Sequence, residues 1–132
     1  MKPVCLVIGA GAGIGGNVAK RFARDGYHAC LCRRSDEEGL AKLVSEIEAD
    51  GGEATGFILN AIEEGSIEER VTQIEKEIGP IEVAVFNLGA QIGDRNLQAT
   101  SYKAFEMGWR LACFGLFRFC LLYTSPSPRD DT

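Results

Sequence analysis

Glycines at positions 9, 11, 13, 15 and 16 fall within eight residues, directly after the apolar run Val4 to Ile8. Such a loop permits a tight turn with positive φ and lets the backbone approach a ligand closely. A helix starting at Ile14 would aim free N–H groups and a partial positive charge at the same place, which suits a pyrophosphate. Two glycine registers compete. A G-x-G-x-x-G pattern starting at Gly9 needs a glycine where Ile14 stands, whereas Gly11, Gly13 and Gly16 fit that spacing but start two residues late. The spacing Gly9-x-x-x-Gly13-x-Gly15 starts at the end of the run and fits throughout. Roughly 20 residues further on, dinucleotide-binding folds place a carboxylate that accepts hydrogen bonds from ribose hydroxyls. Here that place holds Arg33 and Arg34. A guanidinium cannot accept such bonds, but it forks onto a 2′-phosphate. The pair therefore favours NADP(H) over NAD(H), with NADPH preferred to NADH. Asn60-Ala61 and Asn87-Leu88-Gly89-Ala90 close two further apolar runs. An asparagine at a strand end is also a common turn former, so these two positions have a plainer use as well.

Alternating elements must position these groups. Val4 to Ile8, His28 to Cys32, Ala54 to Leu59 and Ile81 to Phe86 are short apolar runs of strand length. Between them lie stretches of helical spacing. Ile14, Val18 and Phe22 mark the first, ended by Gly26. Leu40, Leu43, Val44 and Ile47 mark the second, capped by Ser35 or Asp36 and ended by Gly51-Gly52. Ile67, Val71, Ile74 and Ile78 mark the third, from Ser66 to the stop at Gly79-Pro80. Residues 87–99 suit a loop, and Thr100 or Ser101 caps a last helix with Phe105, Trp109, Ala112, Cys113, Leu116 and Phe117 on one broad face. Strands alternating with helices imply βαβ units, hence an α/β fold with a parallel sheet covered on both faces. The fourth run is as apolar as the first, so it suits an interior strand, and four units alone would leave it at an edge.

Bulk properties narrow the function classes. Of the 132 residues, 45% are hydrophobic and 25% charged, as in ordinary globular proteins. A net charge of −5 without a basic block argues against nucleic acid or an anionic membrane as partner. No apolar run approaches the roughly 20 residues that span a bilayer. Cys5, Cys30, Cys32 and Cys113 sit in apolar stretches without C-x-x-C spacing, which points to core thiols and a cytoplasmic setting. His28 is the single histidine, so no histidine-rich metal site is expected.

The Gly9-x-x-x-Gly13-x-Gly15 spacing, the arginines after the second strand and Asn87-Leu88-Gly89-Ala90 after the fourth together resemble the short-chain dehydrogenase/reductase family, over residues 3 to about 119. The resemblance implies a doubly wound Rossmann-type sheet and hydride transfer between a nicotinamide and a small carbonyl or alcohol substrate. It implies Gly9, Gly11, Gly13, Ile14 and Gly15 at the pyrophosphate, Arg33 and Arg34 at the 2′-phosphate, Asn60 and Ala61 at the adenine, and Asn87, Gly89 and Ala90 at the inner ribose. It also implies a homo-oligomer paired through the last helix.

Departures from the family pattern are as informative. Ile8 stands where threonine is common, and Asn60 where aspartate is usual. The frame from Phe105 to Phe117 puts Ala112 at the family's catalytic asparagine. The family's serine and its Tyr-x-x-x-Lys pair, whose ammonium lowers the phenol's pKa one helical turn away, are absent. Tyr102-Lys103 has the wrong spacing. From Cys120 to Asp130 the sequence resembles a translated transposase-type sequencing adaptor. The expected organisation is therefore an incomplete dinucleotide-binding domain over residues 1–119 and a non-native, disordered tail over 120–132. Such a chain would be the catalytically inactive first part of an oxidoreductase. The rival reading is a non-catalytic dinucleotide-binding or sensor module; a nucleotide fold for a methyl donor or a flavin is a third.

Overall fold

The run Val4–Ile8 forms β1, and every one of its residues is buried, as a strand covered on both faces must be. In the computed structural model, which describes residues 1–88 and 96–123, six further elements complete an alternating series. They are α1 (Ile14–Arg24), β2 (His28–Arg33), α2 (Glu37–Ala49), β3 (Glu53–Ile58), α3 (Ser66–Glu77) and β4 (Ile81–Phe86). The strands pair in parallel in the order β3-β2-β1-β4. This is the doubly wound α/β sheet expected from the sequence. The chain builds outward from β1 through β2 to β3, then returns through α3 to pair β4 on the other side of β1. The chain divides into two compact units, Met1–Leu88 and Gly89–Thr132.

Alternation along the strands sorts the core into two layers. Cys5, Val7, Ala29 and Leu31 join Leu40, Leu43 and Ile47 of α2 and Ala19 and Ala23 of α1 in one cluster. On the other face, Phe57 of β3 lies beneath the guanidinium of Arg70 of α3, 4.6 Å from the ring centre. Ile67 and Ile74 of α3 are fully buried. The face of α1 differs from expectation. Ile14 is 73% exposed, and the buried stripe is made of Gly15, Gly16, Ala19 and Ala23, with Val18 and Phe22 packed beside it. Small residues win because α1 lies too close to the loop after β1 for larger ones. A Cβ on Gly15 would stand 2.3 Å from the carbonyl oxygen of Gly9, and one on Gly16 would stand 2.1 Å from that of Gly11.

Burial pushes the thiol of Cys5 up to about 11 and those of Cys30 and Cys32 to about 12, so all three stay neutral. Cys113 is exposed, against the expectation of a core thiol. An apolar stretch reports the character of a helix face and not whether that face is covered.

In the second unit, Ser101 caps α4 (Tyr102–Trp109), its hydroxyl accepting from the N–H of Ala104 at 3.1 Å. A 3₁₀ turn, Leu97–Ala99, precedes it within the expected loop. The expected single last helix is interrupted by a π-turn, Arg110–Phe114, before α5 (Gly115–Tyr123). Trp109 and Phe114 stack across this turn at 5.4 Å. Phe105, Trp109, Leu116 and Phe117 are all exposed. The helix continues to Tyr123, past the expected boundary at Phe119; the remaining residues of the expected tail lie outside those described. No helix among the described residues is long and apolar enough to cross a membrane.

Candidate functional site

The topology dictates where a ligand can lie. The strand order reverses at β1, with β2 and β3 on one side and β4 on the other, and such switch points open a crevice at the carboxyl ends of the strands in doubly wound sheets. Here the crevice is floored by the glycine loop and Asn87. The N–H of Asn87 donates to the carbonyl of Ile8 at 2.8 Å, and its side-chain amide donates to the carbonyl of Gly9 at 3.3 Å. Gly9 adopts φ +96°, and a Cβ there would meet the Asn87 carbonyl oxygen at 2.3 Å. The N–H groups of Gly9 and Ala10 both donate to the carbonyl of Cys32, at 2.9 and 3.0 Å. The loop is thus bolted to the ends of β2 and β4 at once.

The glycines divide into two kinds. Gly9 and Gly15 are glycines because the protein itself occupies the space of a side chain. At Gly11 and Gly13, apart from adjacent residues and the helix backbone, no atom lies within 4 Å of where a Cβ would stand. Neither has a left-handed φ, and packing does not require glycine at either place.

The helix behind them is also unusual in what it lacks. Gly13 is the N-cap of α1 and supplies no side-chain cap, and no acidic residue stands in the first turn. At the far end Arg21 and Arg24 complement the dipole in the usual way. The other helices with a described cap each start with a capping side chain, an acid in the first turn, or both: Asp36 with Glu37 and Glu38 for α2, Glu68 and Glu69 for α3, and Ser101 for α4. The open backbone and positive pole at the start of α1 fit the pyrophosphate of a dinucleotide.

Beside this helix start lies a cleft of about 390 Å³, lined among others by Gly11, Ala12, Arg33, Asp36 and Gly39. Arg33 is the last residue of β2 and its guanidinium reaches Asp36, Nη1 to Oδ2 at 3.2 Å. Arg34 is exposed and makes no hydrogen bond or ion pair among the described residues. The two arginines therefore differ: one is held and one is loose. Asn60 sits elsewhere, on a second cleft of about 440 Å³ between the end of β3 and α3. Its side-chain oxygen accepts from the N–H of Ile62 at 3.3 Å, and its carbonyl accepts from the hydroxyl of Ser66 at 2.7 Å. Ala61 next to it is buried. Gly89 and Ala90 lie outside the described residues. Ala112 is exposed within the π-turn, a kind of irregularity that recurs at functional sites.

Sequence reasoning missed Asp36 as more than a cap. It is the single non-glycine residue with positive φ among those described, at 67°. Only the acidic residue three places after an arginine hinted at the pair.

Known proteins of similar sequence or fold are dehydrogenases and oxidoreductases. A short chain dehydrogenase of Pseudocercospora fijiensis (strain CIRAD86) is 40% identical over 81 residues, which is 61% of this chain and 26% of that protein. The 2,3-dihydro-2,3-dihydroxybenzoate dehydrogenase of Bacillus subtilis (strain 168) is 29% identical over 114 residues, 86% of this chain and 43% of that one. The chain thus spans less than half the length of these relatives. Among solved structures, a metagenomic short-chain oxidoreductase in complex with NADP superposes with a TM-score of 0.83 at 24% identity, covering 90% of this chain and 53% of that one. The family model described as short chain dehydrogenase matches residues 3–125, and the chain belongs to that family of oxidoreductases.

Proposed function

We propose that this chain carries the dinucleotide-binding part of an NADP(H)-dependent oxidoreductase acting on a small carbonyl or alcohol substrate. The observation that carries the reading is the uncapped start of α1, with Gly11 and Gly13 open beside it and Arg33 on the adjoining cleft. Gly9, Gly11, Gly13, Ile14 and Gly15 would surround the pyrophosphate and Arg33 and Arg34 the 2′-phosphate. Asn60 and Ala61 would lie toward the adenine, and Asn87, Gly89 and Ala90 toward the inner ribose. When bound, the nicotinamide supplies the hydride; the chain's own residues bind and orient it. The NADP-bound relative supports the choice of cofactor. The five free thiols support a cytoplasmic setting, and the exposed apolar residues of α4 and α5 support self-association through those helices.

The sequence contains no Tyr-x-x-x-Lys pair, so the chain by itself should not catalyse carbonyl reduction. A second reading, a dinucleotide-binding or sensor module without catalysis, is favoured by Ala112 at the place of the family's asparagine. Titrating the 132-residue chain with NADPH and with NADH by calorimetry tests the binding that both readings share. Saturable binding that favours NADPH is expected. Failure to bind either, or tighter NADH binding, would overturn the cofactor assignment. NADPH oxidation by this chain with any carbonyl would overturn the claim of inactivity.

A further inference from the structure

Asp36 is held in a conformation that costs free energy, and three contacts keep it there. Its left-handed backbone, φ 67° and ψ 65°, is disfavoured for a residue with a side chain and persists only where surroundings over-determine it. One carboxylate oxygen, Oδ1, accepts from the N–H of Gly39 at 3.0 Å and so caps α2. The other, Oδ2, takes Nη1 of Arg33 at 3.2 Å. The carbonyl accepts from the N–H of Leu40 at 3.0 Å. Gly39 makes room for this arrangement, because a Cβ there would stand 2.3 Å from Oδ2 and 2.6 Å from Nη1.

The ion pair opens on the cleft beside the glycine loop. Its lining carries three cations, Lys20, Arg33 and Lys42, and two carboxylates, Asp36 and Glu46. Lys20 is spent on Glu46, at 2.6 Å, as Arg33 is on Asp36. Most of the positive field that an anion would meet there is already cancelled. Arg33 is gripped through Nη1, which leaves other donors of its five-donor fork for a second anion.

We propose that Asp36 sets the cofactor preference of this site. It fixes Arg33 in the cleft and at the same time offsets its charge, so that discrimination for a 2′-phosphate is weaker than two unpaired arginines would give. The inference rests on the dinucleotide reading above. A 2′-phosphate drawn to Arg33 must share the guanidinium with a carboxylate of like charge, whereas a bare ribose hydroxyl meets no such repulsion.

The test uses the full chain and two small probes, adenosine 2′,5′-bisphosphate and AMP, which differ only in the 2′-phosphate. Asp36→Asn retains a capping oxygen and a residue type that tolerates the left-handed region, but removes the charge. In calorimetric titrations at low ionic strength, the preference for the bisphosphate should rise about fivefold in this variant, the scale of one exposed charge pair. Added salt should shrink that gain. Asp36→Gly, which keeps the backbone and loses both charge and cap, should shift the preference in the same direction; a lost cap alone would not discriminate between the probes. A preference that is unchanged or lower in Asp36→Asn overturns the proposal, while a wild-type preference for the bisphosphate leaves the dinucleotide reading standing. If the wild-type chain binds neither probe saturably, the dinucleotide reading fails and the proposal with it.

Discussion

The starts of α1 and α2 both face one cleft and are built in opposite ways. α2 begins with a carboxylate seated on its first turn and two further acids behind it. α1 begins with a bare glycine and no acid. Both helices have the same orphan N–H groups and the same positive pole, so the physics of a helix end does not distinguish them. What differs is who satisfies the end. The protein satisfies α2 itself and leaves α1 open to an incoming anion. A stabilising feature that is absent where it would be easy to supply marks a site, because sites forgo local stability for binding.

Three substitutions probe this contrast, in falling order of their effect on stability. Gly15→Val would force a side chain into the 2.3 Å gap to the Gly9 carbonyl, driving α1 off the loop. It should cost about 3 kcal/mol, read as a lowered urea midpoint, and take nucleotide binding with it. Asp36→Ala removes the cap and puts a methyl side chain into a left-handed backbone, so α2 should lose roughly 1–2 kcal/mol in the same assay. Gly13→Asp gives α1 the cap it lacks. Stability should rise by about 0.5 kcal/mol, while affinity for NADPH falls about tenfold or more as the carboxylate takes the N–H groups and repels phosphate. If Gly13→Asp stabilised the chain without weakening NADPH, the open start of α1 would not be a phosphate site.

Local pattern carried the fold and part of the site. The four strands and three intervening helices stand where period-2 and period-3.6 spacing put them, because both periods are properties of a few consecutive residues. Asp36, one of two candidate caps, caps α2, and Ser101, one of two, caps α4. What the sequence hid depends on contacts between distant residues. Gly9, Gly11, Gly13 and Gly15 look alike in a row. Only the carbonyl of Asn87 above Gly9 and that of Gly9 above Gly15 separate the packed pair from the open pair. Arg33 and Arg34 are adjacent and identical, yet Arg33, the last residue of β2, pairs with Asp36, while Arg34, just past the strand, is exposed. The π-turn at Arg110–Phe114 adds a residue to a helix, and none of its five residues is a glycine or proline.

The bond from the Asn87 amide to the Gly9 carbonyl joins residues 78 positions apart. It sets an order of events during synthesis. β1, β2 and β3 can assemble as soon as the first sixty or so residues are free, yet the floor of the crevice then lacks one side. The glycine loop reaches its final shape only when β4 arrives and closes that long-range contact, a slow class of step. Competence to hold a nucleotide should therefore appear late. A nascent chain ending before Ile81 would have the whole glycine motif and the start of α1 but not the Asn87 contact that closes on Gly9.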